Sequence, residues 1–441
     1  MVMGCLVVLI LTGVAMTAFY MPSSALARYQ GGYSPLHGVE VSAAYASTLR
    51  ISFDVPGGLL LRQSHHWAAL LLPAALMIRM LIAFFTGAFR RPRRIQWLLL
   101  AVAYLTALLG GWSGYALPDD LLAGTGLRIF QGVVLGIPVV GTSLSWLIFG
   151  DDYPGDVLAR LYPVHVIVVP AVLVLVLLTR FVLARASRSV PWWPTMAVRW
   201  FAMMTITVGV TVIFGGLVEV SPVWRQGPSS PGAAGAGSQP DWYTAFLDGA
   251  LRLVPPGWEF AVWGHTLSLA VLVPLVLTGG FILVVLAWPL LEETATADHA
   301  RHDLLDRARD VPTRTGLGVA GLAFYGTLWL AGSADLIATE FALSFNAVIM
   351  ALQVVIFVGP ALAFVITRHV CRALVDLERH RRDHRAESGV MVRLPSGGYV
   401  EMPVDPPARA ELSARTRATA VESSRSLRRS PSVASQRGQG A

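Results

Sequence analysis

Five side chains stand in or beside apolar runs that would otherwise exclude them. His65, His66 and Arg79 belong to one run, about Trp67 to Phe89 with the two histidines at its start, and His165 and Arg180 belong to another, about Leu161 to Leu183. An imidazole or guanidinium in hydrocarbon is costly, so such residues are expected to face a bundle interior and to find partners there. When both runs cross in the same direction, His65 and His165 share one level near the outer helix ends. At the rise of an α-helix, Arg79 and Arg180 share a second level about 20 Å further in. Paired histidines from facing helices can hold haem iron through both axial positions, giving an electron carrier with no open site for oxygen. The same positions also suit His65 and His66 capping a helix end while His165 hydrogen-bonds a neighbouring helix. Gly110, Gly111 and Gly114 in the intervening run would let a helix close on a flat ligand.

The elements that position these residues follow from composition. The chain of 441 residues is 54% hydrophobic and 14% charged, with a mean hydropathy of +0.59. Soluble domains are about 25% charged, so the composition argues against a soluble enzyme. The net charge of +7 rests on arginine alone, since lysine is absent. Basic excess can signal nucleic-acid binding, but no soluble part is large enough to form a recognition module. Two cysteines, Cys5 and Cys371, exclude a disulfide framework and a cysteine metal cluster. No CxxCH occurs, which excludes covalent c-type haem attachment.

The apolar runs predict an all-α fold, a polytopic membrane bundle of eight transmembrane helices. The spans cover about Met1 to Met21, Trp67 to Phe89, Trp97 to Leu117, Leu161 to Leu183, Met196 to Val218, a helix within Phe260 to Leu291, Thr315 to Ala334, and Ala342 to Thr367. Ala25-Leu26-Ala27 offers a signal-peptidase site after the first run, but the positive n-region is missing, which favours a retained span. Arginines cluster after the second, fourth, sixth and eighth spans, beginning at Arg90, Arg185, Arg301 and Arg368. By the positive-inside rule those ends are cytoplasmic, as are both termini of a multi-pass protein of the cell membrane. Leu127 to Gly150 is broken by Gly136, Pro138 and Gly141 and reads as two short surface helices. Gln226 to Gln239 reads as a flexible insert. The last forty or so residues read as a disordered tail, with Ser426, Ser430 and Ser432 as weak candidates for phosphorylation or lipid contact. Residues 1–218 form a haem-binding bundle of five spans, 219–371 an outer loop and three spans, and 372–441 the cytoplasmic tail.

Several ordered motifs carry a family resemblance. They are Ile51 to Gly58, Arg62-Gln63-Ser64-His65-His66-Trp67-Ala68-Ala69, Phe84 to Arg93, Gly114-Tyr115-Ala116-Leu117-Pro118-Asp119-Asp120 continuing to Gly126, Pro240-Asp241-Trp242-Tyr243, and Pro312 to Gly321. Over about residues 1 to 403 the chain is similar to the cytochrome b subunit of actinobacterial menaquinol:cytochrome c reductases, the bc1-type complex. That resemblance implies two stacked haems held by four histidines on the second and fourth spans. The outer, low-potential b haem matches His65 and His165. The inner pair is replaced by Arg79 and Arg180. Arginine keeps its proton and is no iron ligand, so one b-type haem is expected and the second is expected to be absent.

The resemblance further implies an outer pocket for menaquinol lined by Pro240, Asp241, Trp242 and Tyr243. Asp241 would take the quinol proton, with Tyr243 beside it, and burial in a dry pocket is expected to raise the proton affinity of Asp241. A Pro-Asp-Trp-Tyr turn with aromatic anchors is the plainer reading of the same residues. Ala184 to Arg188 lacks the histidine that the family places near its inner quinone site. Implied partners are a Rieske-type iron-sulfur subunit, a cytochrome c subunit and a second copy in a dimeric respiratory complex. Anionic lipid, cytoplasmic water or a bound anion would neutralise Arg79 and Arg180, with Arg79 expected to point into a polar inner cavity. The alternatives are a one-haem or haem-free scaffold or quinol-binding subunit, and an unrelated transporter, which the absence of an interrupted inverted repeat disfavours.

Overall fold

The computed structural model describes residues 1–151, 153–186, 194–230, 232, 241–262, 264–384, 391–395 and 397–401. The chain divides into two units, Met1–His369 and Val370–Ala441. The helices are α1 (Val2–Thr17), α2 (Ala43–Phe53), α3 (Gly58–Phe85), α4 (Arg94–Ala116), α5 (Leu121–Leu135), α6 (Gly141–Phe149), α7 (Val157–Pro163), α8 (Val169–Ala186) and α9 (Pro194–Leu217). They continue with α10 (Val223–Gln226), α11 (Ala245–Leu253), α12 (Leu269–Thr296), α13 (Pro312–Gly332), α14 (Ala334–Glu340) and α15 (Phe345–His384). Three antiparallel two-stranded ribbons pair β1 (Leu26–Arg28) with β2 (Glu40–Ser42), β3 (Glu259–Val262) with β4 (His265–Ser268), and β5 (Met391–Arg393) with β6 (Tyr399–Glu401).

Among the described residues, seven helices are long and apolar enough to cross a membrane. The first expected span is α1, whose 16 residues make it about 24 Å long. It packs against α3 and α9. Before α3, Gly57 adopts φ +72°, a left-handed conformation that glycine enters without a steric cost. A side chain at Gly58 would collide with the Ile51 carbonyl, so α2 and α3 meet through bare backbone. The broken stretch after α4 forms α5 and α6, as its Gly and Pro residues imply. Asp120 caps α5 by accepting the Ala123 amide at 2.9 Å.

The long uncharged run that starts at Phe260 is not helical throughout. Its first part forms the β3–β4 ribbon, turned at Gly264 with φ +76°, and α12 starts only at Leu269. Apolar content marks this stretch, but composition does not distinguish a β-ribbon from the first turns of a helix.

α1, α3, α4 and α8 share a packed core that includes Leu6, Leu72, Leu76, Leu100, Leu173 and Leu177. At one end of these helices a charged network joins the α3–α4 turn to the α12–α13 connection. Glu293 pairs with Arg91 and Arg94, Asp306 with Arg90 and Arg314, and Glu292 with Arg314 at 3.0 Å. Glu293 and Arg314 are buried, so removing one partner would leave an uncompensated charge away from water.

Candidate functional site

His65 on α3 and His165 at the α7–α8 junction face each other with ring centroids 6.2 Å apart. His165 lies in a π-helical turn, Val164–Val168, in which the Val169 amide donates to the Val164 carbonyl. The next residue, Pro170, has no amide hydrogen, and a wider turn of this kind often marks a functional position. His65 Nδ1 is 2.9 Å from the Thr12 hydroxyl of α1. His165 Nδ1 is 3.1 Å from the Ser113 hydroxyl and 3.0 Å from the Gly110 carbonyl of α4. The carbonyl can only accept, so Nδ1 of His165 carries the hydrogen and Nε2 keeps its lone pair. Both histidines line a cavity of about 140 Å³ that opens to the exterior.

This donor set fits a haem. Two metal–nitrogen bonds of about 2 Å each, with the half-widths of two imidazole rings added, give a centroid separation of about 6 Å. Among the described residues no group of three His, Cys, Asp or Glu side chains is placed to hold a bare metal ion, so an iron between these two imidazoles must bring its remaining ligands with it. The walls are shaped for a flat group: a side chain at Gly13 or Gly114 would press on His65 or His165. At the rim, Arg62 is buried and donates Nη1 to the Ser221 carbonyl at 3.0 Å, while its Nε and Nη2 have no partner. Two orphaned donor nitrogens on a cation lining a cavity suit an anionic substituent of a bound group.

Asp241 and Tyr243 line the same cavity. Their turn is held by the Thr244 amide bonded to the Asp241 carbonyl at 2.9 Å and by the Trp242 indole donating to the Leu70 carbonyl at 3.2 Å. Tyr243 rests on Gly111, where a side chain would collide with the phenol ring. Asp241 is engaged on both oxygens, Oδ1 by His66 Nε2 at 3.2 Å and Oδ2 by the Tyr243 hydroxyl at 2.7 Å. Burial raises the proton affinity of Asp241, but His66 and the Tyr243 hydroxyl together outweigh it and hold the carboxyl below its ordinary range. The expected rise is therefore reversed, because the dry pocket supplies two donors to the anion. Burial and the neighbouring carboxylate push the Tyr243 phenol far up, so Tyr243 serves as a hydrogen-bond donor. Pro240 lies outside the described residues.

Comparisons with known proteins cover most of the chain. Residues 70–228 match a family model described as cytochrome b(N-terminal)/b6/petB. The cytochrome bc1 complex cytochrome b subunit of Streptomyces coelicolor is 40% identical over 412 residues, covering 90% of this chain and 75% of its own. The subunit of the same description from Mycobacterium tuberculosis is 41% identical over 414 residues, with the same coverage, and that of Corynebacterium efficiens is 38% identical over 412 residues, covering 90% and 76%. The chain belongs to the cytochrome b family of bc1 complexes. A solved chain described as hyperthermophilic respiratory Complex III shares its fold, with a TM-score of 0.58 at 19% identity over 81% of this chain and 90% of that one.

Within this cytochrome b, one partner of the site escapes sequence inspection. His66 is adjacent to a candidate ligand and lies about 100° away around the helix, yet its partner Asp241 is 175 residues distant. The only sequence signal for it is the His65-His66 doublet itself. At the other level, Arg180 Nε approaches the Gln96 carbonyl at 3.4 Å, within the first turn of α4. Arg79 is exposed and does not point into an enclosed polar cavity as expected.

Proposed function

We propose that this chain is the cytochrome b subunit of a menaquinol:cytochrome c reductase that oxidises quinol at the histidine end of the bundle and holds one low-potential b-type haem between His65 and His165. The observation that carries the reading is the pair of facing imidazoles, 6.2 Å apart between centroids, each with Nδ1 hydrogen-bonded to the protein. A haem bound there would supply one-electron transfer. Thr12, Ser113 and the Gly110 carbonyl orient the rings, and hydrogen bonds of this kind fix the tautomer of a ligating histidine.

Asp241, His66 and Tyr243 handle the proton. With its proton affinity held down, Asp241 is an anion that only accepts, so His66 Nε2 donates to it. A quinol hydroxyl in the cavity, which both residues line, can pass its proton to the hydrogen-bonded His66–Asp241 pair. Asp241 thus acts through His66 as much as by direct contact, and Tyr243 keeps its carboxylate aligned. Trp242 anchors the turn against α3.

Arginine clusters at the opposite end support a cytoplasmic placement of that end and of both termini. A Rieske-type iron-sulfur subunit and a cytochrome c subunit complete the electron path, with a second copy of the chain in the complex. Arg79 and Arg180 supply no ligand for a second haem, and the helices between the two levels are filled by leucines. Those same replacements favour, as a second reading, a one-haem or haem-free scaffold without a complete electron path. Haem quantified as the pyridine haemochrome per chain separates the readings: a value of one supports the proposal, two overturns the single-haem assignment, and zero leaves the scaffold.

A further inference from the structure

The end of the bundle opposite the histidines has two kinds of arginine. Arg90, Arg91, Arg94 and Arg314 are neutralised within the chain by Glu292, Glu293 and Asp306, and Arg93 donates to the carbonyls of His302 and Asp303. Arg79 and Arg180 have no carboxylate partner among the described residues. They lie 14 and 15 residues beyond His65 and His165 along their helices and so share one level of the bundle, and the hydrogen bond of Arg180 to Gln96 is long at 3.4 Å.

Sequence explains why no internal partner is available. No Asp or Glu occurs from residue 55 to 118 or from 157 to 218, the segments that hold α3, α4, α8 and α9. Carboxylates reach this end from the last turns of α12 and the α12–α13 connection: Glu292, Glu293, Asp298 and Asp306 are engaged by other arginines and histidines, Asp310 pairs with Arg309, and among the described residues Asp303 makes no ion pair with Arg79 or Arg180. Depth narrows the choice of counterion. Arg180 reaches the first turn of α4, and Arg79 lies about 9 Å from the end of α3 and is exposed. Long arginines at that depth extend to the headgroup layer, where anionic phosphates are concentrated.

We propose that Arg79 and Arg180 together bind the phosphate of an acidic phospholipid at this end of the bundle. Two planar guanidiniums at one level present forked donors to a phosphate oxygen cluster, a geometry that lysine cannot reproduce. The proposal is independent of whether the histidine level holds a haem.

The test uses the full chain purified from membranes with the subunits that accompany it, delipidated in neutral detergent. Thermal unfolding and bound phosphorus per chain are measured after adding phosphatidylglycerol, phosphatidylcholine or inorganic phosphate. Phosphatidylglycerol is expected to raise the Tm by about 3–5 °C and to be retained, whereas the other two do neither. The Arg79→Gln, Arg180→Gln double variant should lose both effects. Should that variant not be recovered, Arg79→Lys, Arg180→Lys is expected to keep a reduced shift. An equal response to phosphatidylcholine, an equal response to inorganic phosphate, or an undiminished response in either double variant would overturn the proposal.

Discussion

The two ends of α3 and α8 were built for different neighbours. At the histidine end the walls are Gly13, Gly111 and Gly114, the polar groups are short hydroxyls on adjacent helices, and each imidazole is oriented by one of them. About 20 Å away along the same helices, the interior is closed by leucine and valine side chains, and the polar residues are arginines, Arg79 exposed and Arg180 half-buried against the Gln96 carbonyl. A flat ligand needs space between helices and fixed donor atoms, and one end offers both. A long cation needs an outlet, and the other end offers that. The lesson is that helix positions equivalent in spacing are not equivalent in environment, because the residues one or two turns away decide whether the space is kept or filled.

The largest expected effect falls on the ligand pair. His65→Ala or His165→Ala should abolish the b-type absorbance in a reduced-minus-oxidised spectrum, while His66→Ala should largely retain it. Loss confined to the His66 variant would reassign the pair. Next comes proton transfer. Asp241→Asn and His66→Gln are each expected to lower quinol oxidation by about 10²–10³-fold, with spectra unchanged, and the double variant should be little worse than either single one because the two act as a unit. Additive losses would separate their roles.

A smaller effect concerns a carboxylate in the connection from α4 to α5. Burial raises Asp119 from 3.8 to about 6, the Ser42 and Ser229 hydroxyls opposing it in part. A folded-state value above the unfolded one means that ionisation is harder in the fold, so stability falls as pH rises from about 4 to about 6. Asp119→Asn, which suits the left-handed φ of 53° at this position, should therefore raise the Tm at pH 8 by a few degrees and leave it unchanged near pH 4. A Tm gain of equal size at both pH values would show that charge is not the cause. The smallest expected effect is none at all: Arg79→His, Arg180→His should add no second haem, because Leu72, Leu76 and Leu177 fill the core beside those positions. A full second b haem in a redox titration would show that the two ends differ only in their ligands.

Membrane crossing, the approximate spans and the existence of two polar levels could all be read from the chain. A run of about 20 apolar residues has few other uses, and an ionisable residue within it stands out against that background. The break at Gly136 to Gly141 was equally legible, since Gly and Pro act locally. The β3–β4 ribbon was not, because hydrophobicity without a clear period leaves strand and helix open. Nor could sequence show which way Arg79 would turn: its depth was clear, but the direction of a flexible side chain depends on whether neighbouring helices leave it room.

The sequence by itself determined that this is a membrane bundle with histidines at one level and arginines at the other, and it did so through periodicity and charge, properties that each segment carries alone. Tertiary structure decided the chemistry of the histidine site. Whether Asp241 holds or releases a proton depends on His66 and Tyr243 meeting both of its oxygens, and the orientation of His65 depends on Thr12 of a different helix. Electrostatic and hydrogen-bond energies fall off over a few ångströms, so they depend on which distant segments the fold brings into contact, and the order of residues along the chain does not contain that distance.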